Sequence, residues 1–162
     1  MATIHERVPP FPVSRGGYGG CCTSEHNKDT GYVHCWTSCG GLCNSWAEMQ
    51  TSFTVSTNKT GATYHFYFTD LIRDYWCPWF GTAIIKAKFT LYENDVLKNT
   101  TEWDFPSSRT TWYQYIAVNV PLVPGKTYKV YCGMRIWMQC NFWGQCPTCN
   151  SSLKVSKILV VD

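Results

Sequence analysis

The stretch HCWTSCGGLC, residues 34–43, places three cysteines at four-residue spacing directly after a histidine. Thiolates and imidazoles bind zinc, reactive thiol pairs carry out redox chemistry, and oxidised thiols form structural bridges. Zinc sites are typically built from two close-spaced pairs of ligands at a matched separation. The C-x-x-x-C-x-x-x-C spacing is looser than that pattern, so we favour disulfides, with a zinc or iron–sulfur site as the alternative.

The whole chain carries 10 cysteines in 162 residues, an even number and a high density. Such a pattern is typical of an oxidising compartment, and we expect all ten to form disulfides. Five lie in an N-terminal group and four in a C-terminal group, with one between them. If all ten pair, at least one bridge must therefore connect the N-terminal group to another part of the chain. The predicted bridge residues are Cys21, Cys22, Cys35, Cys39, Cys43, Cys77, Cys132, Cys140, Cys146 and Cys149.

The segment CPTC, residues 146–149, has the spacing of a redox motif. Redox pairs of this kind lie at the N-terminus of a helix, where the helix dipole lowers the pKa of the first thiol. Here the segment leads from a loop into a strand-like run, which favours structural bridges. A redox-active cysteine protein remains an alternative.

The sequence gives little support to catalysis. It lacks the G-x-S-x-G elbow of serine hydrolases, and its 4 histidines and 11 acidic residues show no catalytic spacing. We therefore expect a protein that is not an enzyme and that needs no cofactor and no metal.

Aromatic residues give the stronger functional signal. The chain has 8 Trp, several of them in the loop-like segments DYWCPWFG (74–81) and RIWMQCNFWGQC (135–146). Extra tryptophans often mark a contact surface, because each offers a large rigid ring and one polar group. They also serve to pack loops onto a core. The candidate contacts for a glycan or a protein partner are Trp76, Trp79, Trp137 and Trp143.

The composition argues against a nucleic-acid-binding or membrane-spanning protein and favours a secreted one. Charged residues make up only 15% and the net charge is +3, with no basic run that would follow a phosphate backbone, so we expect no nucleic-acid partner. No apolar run approaches the roughly 20 residues of a membrane helix. The N-terminus, MATIHERVPPFPV, has no apolar h-region, and we expect a secreted chain from which the signal peptide has been removed. Three glycosylation sequons agree with secretion, at Asn58, Asn99 and Asn150.

The elements that carry these residues are predicted to be strands. Alternation of apolar and polar residues runs through 82–94, 111–122 and 127–138, and turn-rich segments separate the runs. Residues 63–71 are aromatic on both faces, which predicts a central or covered strand. A change of parity near Ser156–Lys157 predicts a bulge in the last strand. Residues 44–50 show a helix-like start and are predicted to form at most one helical turn.

Seven or so strands without helices predict an all-β antiparallel sandwich. Residues 1–20 are rich in Pro and Gly and are predicted to form an extended arm, which would add an edge strand to a neighbour. Residues 21–162 are predicted to form a single disulfide-rich domain.

The segment LVPGKTY, residues 122–128, has the form L-x-P-G-x-x-Y between two strands. It resembles the E–F corner of fibronectin type III and related immunoglobulin-like sandwiches, where a tyrosine hydrogen-bonds back across the corner. Pro124 and Gly125 suit the two central positions of a type II turn. The resemblance implies an immunoglobulin-like fold, with a Cys-rich N-terminal extension in this chain, and implies nothing about function.

These observations lead to one main hypothesis for function: a secreted, non-enzymatic structural or adhesive protein that acts through surface contacts, including self-assembly into an extracellular filament or other assembly. A carbohydrate-binding module that uses exposed tryptophans is the first alternative, and a metal- or redox-active cysteine protein is the second.

Overall fold

The computed structural model describes residues 2–162 and shows an all-β protein in which two antiparallel sheets form a sandwich. Sheet A contains β1 (Thr3–Arg7), β3 (Cys22–Asn27), β4 (Tyr32–Thr37), β6 (Ala62–Ile72), β7 (Tyr75–Trp76), β10 (Arg109–Val118) and β12 (Thr148–Val161). Sheet B contains β2 (Val13–Gly20), β5 (Cys43–Phe53), β8 (Thr82–Glu93), β9 (Val96–Asp104) and β11 (Tyr128–Gln139). The predicted fold class is therefore confirmed, with twelve strands in place of the expected seven or so.

The order of strands places the long aliphatic and aromatic strands at the centre. Sheet A runs β10–β6–β12–β4–β3, with β1 and β7 also paired to β12, and sheet B runs β2–β5–β11–β8–β9. Within residues 2–162, helices long and apolar enough to cross a bilayer are absent. The two sheets pack their inner faces together, as strands with period-two alternation require.

The predicted alternation is confirmed in the central strands. In β11 every second residue from Tyr128 to Met138 is buried in the core, and the residues between them face outward. Strand β6 lies between β10 and β12, which confirms the predicted central position. The register between β6 and β12 shifts between Val155 and Lys157, which confirms the predicted bulge.

The corner before β11 has the hydrogen bond that the sequence predicts. The backbone N–H of Val123 donates to the Tyr128 hydroxyl at 2.8 Å, and that hydroxyl lies 3.1 Å from a carboxylate oxygen of Glu93. Gly125 adopts a φ of 88°, a conformation that glycine reaches without steric cost. Tyr128 is fully buried, so its hydroxyl fixes the entry of β11 into the core.

Two expectations about the N-terminal half are wrong. Residues 44–50 belong to strand β5, because pairing with β2 and β11 on both sides outweighs the weak local helix signal. Residues 2–20 of the predicted arm belong to the sandwich, because β1 pairs with β12, β2 pairs with β5, and Phe11 is buried in the core. Residue 1 lies outside the described residues. The arm thus adds strands to its own sheets.

Three disulfides form, and all of them are local in sequence. Cys22–Cys43 joins β3 of sheet A to β5 of sheet B and therefore ties the two sheets together. The second and third bridges close the segments before β5 and after β11; they are Cys21–Cys39 and Cys140–Cys146. The chain-entropy model assigns about 3 kcal/mol of stability to a bridge that closes a loop of the length of Cys22–Cys43.

The other four cysteines are free thiols in the structure, which differs from the prediction that all ten pair. Cys35 lies opposite Ser151, so Cys149 is one diagonal step away. Diagonal neighbours on antiparallel strands are about 7–8 Å apart, beyond the reach of a disulfide without backbone movement. Cys132 lies between Met49 and Phe89, and the fourth free thiol, Cys77, is partly exposed. The predicted long-range bridge is therefore not formed.

These thiols give a direct test of the fold. Burial raises the pKa of Cys35 to about 12 and that of Cys149 to about 11, and it also raises the pKa of Cys132. Because thiolates are the reactive form, we expect an alkylating reagent to modify Cys77 in the native protein and the three buried thiols only after unfolding. Mass spectrometry of native and denatured samples checks this result. Five disulfides, or rapid native modification of any buried thiol, would contradict it.

Candidate functional site

The outer face of sheet B carries a depression of about 330 Å³, which we call the sheet B depression. This volume lies at the lower end of the range of small-molecule sites in proteins. Side chains from four neighbouring strands surround it, so a rigid sheet holds the site. The residues that line it are Arg15, Asn44, Ser45, Trp46, Glu48, Lys88, Arg135, Ile136 and Trp137.

Strands β5 and β11 approach closely in the row of the sheet that contains Glu48 and Lys88 of the depression. Gly133, in the central strand β11, lies opposite Glu48 on one side and Lys88 on the other. Gly133 is buried and does not itself line the depression. A Cβ at residue 133 would clash with the carbonyl oxygen of Ala47 and would lie 2.5 Å from the Cα of Glu48. The glycine therefore allows β5 and β11 to approach closely.

One wall of the depression is an ion pair between a buried carboxylate and an exposed guanidinium. The Arg15 guanidinium donates to a Glu48 carboxylate oxygen at 2.7 Å, and Glu48 is only 5% exposed. The Arg15 Cζ atom lies 3.8 Å from the ring centroid of Tyr131 and 5.5 Å from that of Trp46. Burial alone would lower the pKa of Arg15, but the Glu48 carboxylate raises it. The cation is thus held between two aromatic rings and one carboxylate.

Arg135 of the lining forms a second ion pair, with Glu102 of β9 behind it. Arg135 binds both carboxylate oxygens of Glu102, and its Nη2 atom donates at 2.8 Å. This hydrogen bonding lowers the pKa of Glu102, although burial opposes the change, and it raises the pKa of Arg135. A two-point contact between a guanidinium and a carboxylate fixes the planes of both groups. The polar groups around the depression are therefore oriented before any ligand arrives.

Two indoles flank these charged groups on adjacent strands. Trp46 lies opposite Gly17 and Arg135, and Trp137 lies opposite Asn44. Three indole atoms of Trp46 lie 2.8–3.1 Å from the position that a Cβ of residue 17 would occupy. Gly17 therefore makes the space in which the ring rests against the backbone of β2. Both indoles are partly exposed to solvent.

A second aromatic surface lies beyond the Trp137 end of sheet B. Trp79, Phe80, Phe142 and Trp143 form it, and we call it the loop aromatic cluster; their exposed fractions run from 57% to 81%. Trp79 stacks on Phe80 with a centroid distance of 4.3 Å, and Phe80 contacts Phe142. These four residues follow β11 or precede β8 at the same end of the sheet.

Asn141 joins the two loops that carry this cluster. Its side-chain amide donates to the carbonyl oxygen of Trp79 at 2.8 Å. Its side-chain oxygen accepts hydrogen bonds from the backbone N–H groups of Trp143 and Gln145 at 2.9 Å and 3.0 Å. The Cys140–Cys146 bridge closes the same loop. The loop that carries Phe142 and Trp143 is therefore held in place by a disulfide and by hydrogen bonds.

The structure separates the four predicted contact residues into three places. Trp79 and Trp143 lie together in the loop aromatic cluster, and Trp137 lines the sheet B depression. Trp76 is 55% exposed and lies on the short strand β7, opposite Thr148.

The three sequons differ in their surroundings, and their occupancy remains a prediction. Asn58 lies in the exposed loop after β5, whereas Asn99 lies within β9. Asn150 lies within β12, its side-chain oxygen is bound to His34, and Ser152 of its sequon is buried. Only Asn58 offers both its asparagine and its hydroxyl residue, Thr60, on an open loop.

The side chains of the cysteine–histidine motif, residues 34–43, lie in different environments in the structure. Cys39 and Cys43 belong to different disulfides, Cys35 is a buried thiol, and His34 contacts Glu25 at 2.9 Å. Within residues 2–162, no three or more His, Cys, Asp or Glu side chains are placed to share a metal ion. In the CPTC segment, Cys146 pairs with Cys140, so the segment does not bridge its own two cysteines.

Sequence reasoning missed most of the depression. Trp46 and Glu48 lie in the segment predicted as a helical turn, and Arg15 lies in the predicted arm. The available signal was the period-two pattern of residues 43–53, in which Ala47 and Met49 are buried while the residues between them face outward. The partner of Arg135, Glu102, could not be predicted, because the pairing of β8 with β9 cannot be deduced from local sequence.

Comparisons with known proteins yield no family. No family model and no curated protein matches the chain. Among solved structures, a family 35 carbohydrate binding module from Clostridium thermocellum matches with a TM-score of 0.38 and 9% identity, over 95% of this chain and 97% of that one. An isomalto-dextranase from Arthrobacter globiformis matches with a TM-score of 0.38 and 8% identity, over 94% of this chain and 22% of that one.

A structure that describes carbohydrate-binding modules of the β-sandwich superfamily also matches. Its TM-score is 0.36 and its identity 13%, over 90% of this chain and 56% of that one. At such low identity and TM-score, these likenesses assign neither a family nor a ligand to this chain.

The close approach at Gly133 gives a test of the site's framework. We expect Gly133→Ala to destabilise the protein by about 2 kcal/mol, because the added methyl forces β5 and β11 apart. Gly19→Ala is the matched control, since a Cβ there meets only the Asn44 side chain at an ordinary 3.7 Å. Urea unfolding of both variants measures the difference. Equal stability of the two variants would show that the strands are not in close contact at residue 133.

Proposed function

We propose that the protein binds an oligosaccharide in the sheet B depression. One observation carries the proposal: Trp46 and Trp137 lie on adjacent strands of one rigid face, beside two oriented arginine–carboxylate pairs. Sugar rings combine an apolar C–H face with a rim of hydroxyls. A site that offers both aromatic faces and oriented charged groups matches both features.

The aromatic part supplies contact with the apolar face of the sugar. Trp46 rests on the backbone at Gly17, so its orientation is fixed and stacking costs little conformational entropy. Trp137 lies one diagonal step away on the next strand, a distance of about 7–8 Å between backbone positions. Two rings at this separation suit neighbouring parts of one short saccharide.

The polar part supplies hydrogen bonds to hydroxyls. Each guanidinium has five N–H donors, and its carboxylate partner occupies only some of them. Arg15 and Arg135 therefore keep donors for sugar oxygens, while Glu48 and Glu102 hold the two guanidinium groups in place. Lys88 lies in the same row as Gly133 and adds a third cation. Paired charges at a partly dry site favour hydroxyl-rich, uncharged ligands over a strongly charged polymer.

The loop aromatic cluster extends this surface at the Trp137 end. A longer saccharide that leaves the depression in that direction meets exposed rings of Trp79 and Trp143. We therefore assign these two residues a secondary role in affinity for longer chains, with the depression as the primary site.

A panel of oligosaccharides, first on a glycan array and then by calorimetry, tests the proposal. We expect binding that Trp46→Ala weakens by about tenfold or more, because one stacking contact is lost. Trp143→Ala is the matched control, since it removes an indole from the loop aromatic cluster. We expect this control to keep the affinity for the shortest saccharide that binds.

The same measurements can reject the depression as the binding site. Binding of no saccharide, or loss of binding in Trp143→Ala with full binding in Trp46→Ala, would reject the depression as the site. Glu102→Gln gives a second variant that keeps the size of the side chain, and it should weaken binding without removing a ring. Circular dichroism confirms that each variant is folded.

A further inference from the structure

The edge of sheet A at β10 differs from the other free edges of the sandwich. Exposed edge strands are usually protected from pairing by charges, prolines, bulges or a covering element. Strand β10, RTTWYQYIAV, contains one charge, at its first residue, and no proline. Its register with β6 contains no shift from Thr111 to Val118.

The other edges carry such protection. Strand β9 contains Lys98, Glu102 and Asp104, and its register with β8 shifts between Leu91 and Tyr92. Strands β2 and β3 lie at the opposite edges and bind each other through side chains, with Ser14 bonded to His26 at 2.6 Å. Within residues 2–162, β10 pairs only with β6. Every second residue of β10 therefore points its backbone N–H and C=O away from the sheet.

We propose that β10 pairs antiparallel with β10 of a second copy of this chain, which joins the two A sheets into one continuous sheet. The proposal commits to a second copy because the strand is complementary to itself about a twofold axis through Gln114. That register places Tyr113 opposite Tyr115 of the second copy. By symmetry, Tyr115 lies opposite Tyr113 of the second copy. On the inner face it places Trp112 opposite Ile116.

The outer face gains a row of aromatic contacts in this arrangement. Within one chain, Tyr113 already contacts Tyr67 at a centroid distance of 4.8 Å and Tyr115 at 5.9 Å, and His65 stacks on both Tyr113 and Tyr115. Tyr115 is 61% exposed and Tyr113 is 42% exposed. Aromatic pairs directly opposite each other are among the favourable cross-strand pairs. Pairing thus continues the existing row across the twofold axis.

The inner face and the charges fit the same register. Trp112 and Ile116 pack against the core but are only partly buried, so a second copy would cover their remaining surface. The single cation, Arg109, would lie opposite the neutral Asn119 of the second copy. No like charges are brought together, which is the usual obstacle to edge pairing.

Sedimentation equilibrium of the full chain tests this proposal. We expect a concentration-dependent mass that reaches twice that of one chain. Tyr115→Lys should raise the dimer dissociation constant by about tenfold or more, because it removes two aromatic pairs and puts two cations on one face of the joined sheet. Tyr18→Lys is the matched control, since it makes the same change at an exposed tyrosine of β2, at the opposite edge of the sandwich, and it should leave the dimer intact.

Hydrogen exchange of the β10 backbone amides in the wild-type chain tests the proposal without any variant. In concentrated samples, alternate amides of 110–118 should exchange more slowly than in dilute samples. A mass of one chain at every concentration, or equal loss of the dimer in both lysine variants, would overturn the proposal. So would a dimer whose β10 amides exchange at the same rate at high and low concentration. Pairing of β10 with an unrelated peptide by a monomeric chain would also overturn it.

Discussion

The alternation of side chains along β11 is the constraint on which the rest of the structure depends. This strand lies at the centre of sheet B, so one set of its residues must fill the core and the other set must form the outer face. Met134 and Ile136 are buried on the inner side, while Arg135 and Trp137 lie outside between them. Gly133 interrupts the outer set at the point where the backbone of β5 approaches most closely. One strand therefore supplies residues to both the core and the candidate site, and a slip of one position would exchange its two faces.

Both ends of β11 are anchored, which holds this register in place. At its start, the Tyr128 hydroxyl binds the backbone of the preceding corner and a carboxylate of Glu93. At its end, the Cys140–Cys146 bridge and the hydrogen bonds of Asn141 fix the loop that carries the exposed rings. The candidate saccharide site lies on the outer face of sheet B and the proposed dimer edge belongs to sheet A. A dimer would therefore present two depressions, and such a pair raises the apparent affinity for a repeating polymer.

Local sequence was sufficient for the elements in which pattern and burial agree. The alternation in 82–94 and 127–138, the bulge before Lys157 and the corner at Tyr128 could all be predicted, because each depends on neighbours in sequence. The strand at 43–53 was missed because Ala47, Glu48 and Met49 favour helix, and only pairing on both sides makes them a strand. Arg15 could not be assigned to the depression, nor Glu102 to its pairing with Arg135, because both contacts depend on strand pairings that are distant in sequence. The free thiols were missed for a related reason: an even count of cysteines says nothing about which ones face each other.

The central claim is that the sheet B depression holds a sugar ring against Trp46 and Trp137. Nuclear magnetic resonance measures this most directly, because each tryptophan gives its own indole N–H signal. On titration with the saccharide that binds best, the signals of Trp46 and Trp137 and the guanidinium signals of Arg15 and Arg135 should show the largest shifts. Shifts confined to Trp79 and Trp143, with those of Trp46 and Trp137 unchanged, would contradict the account.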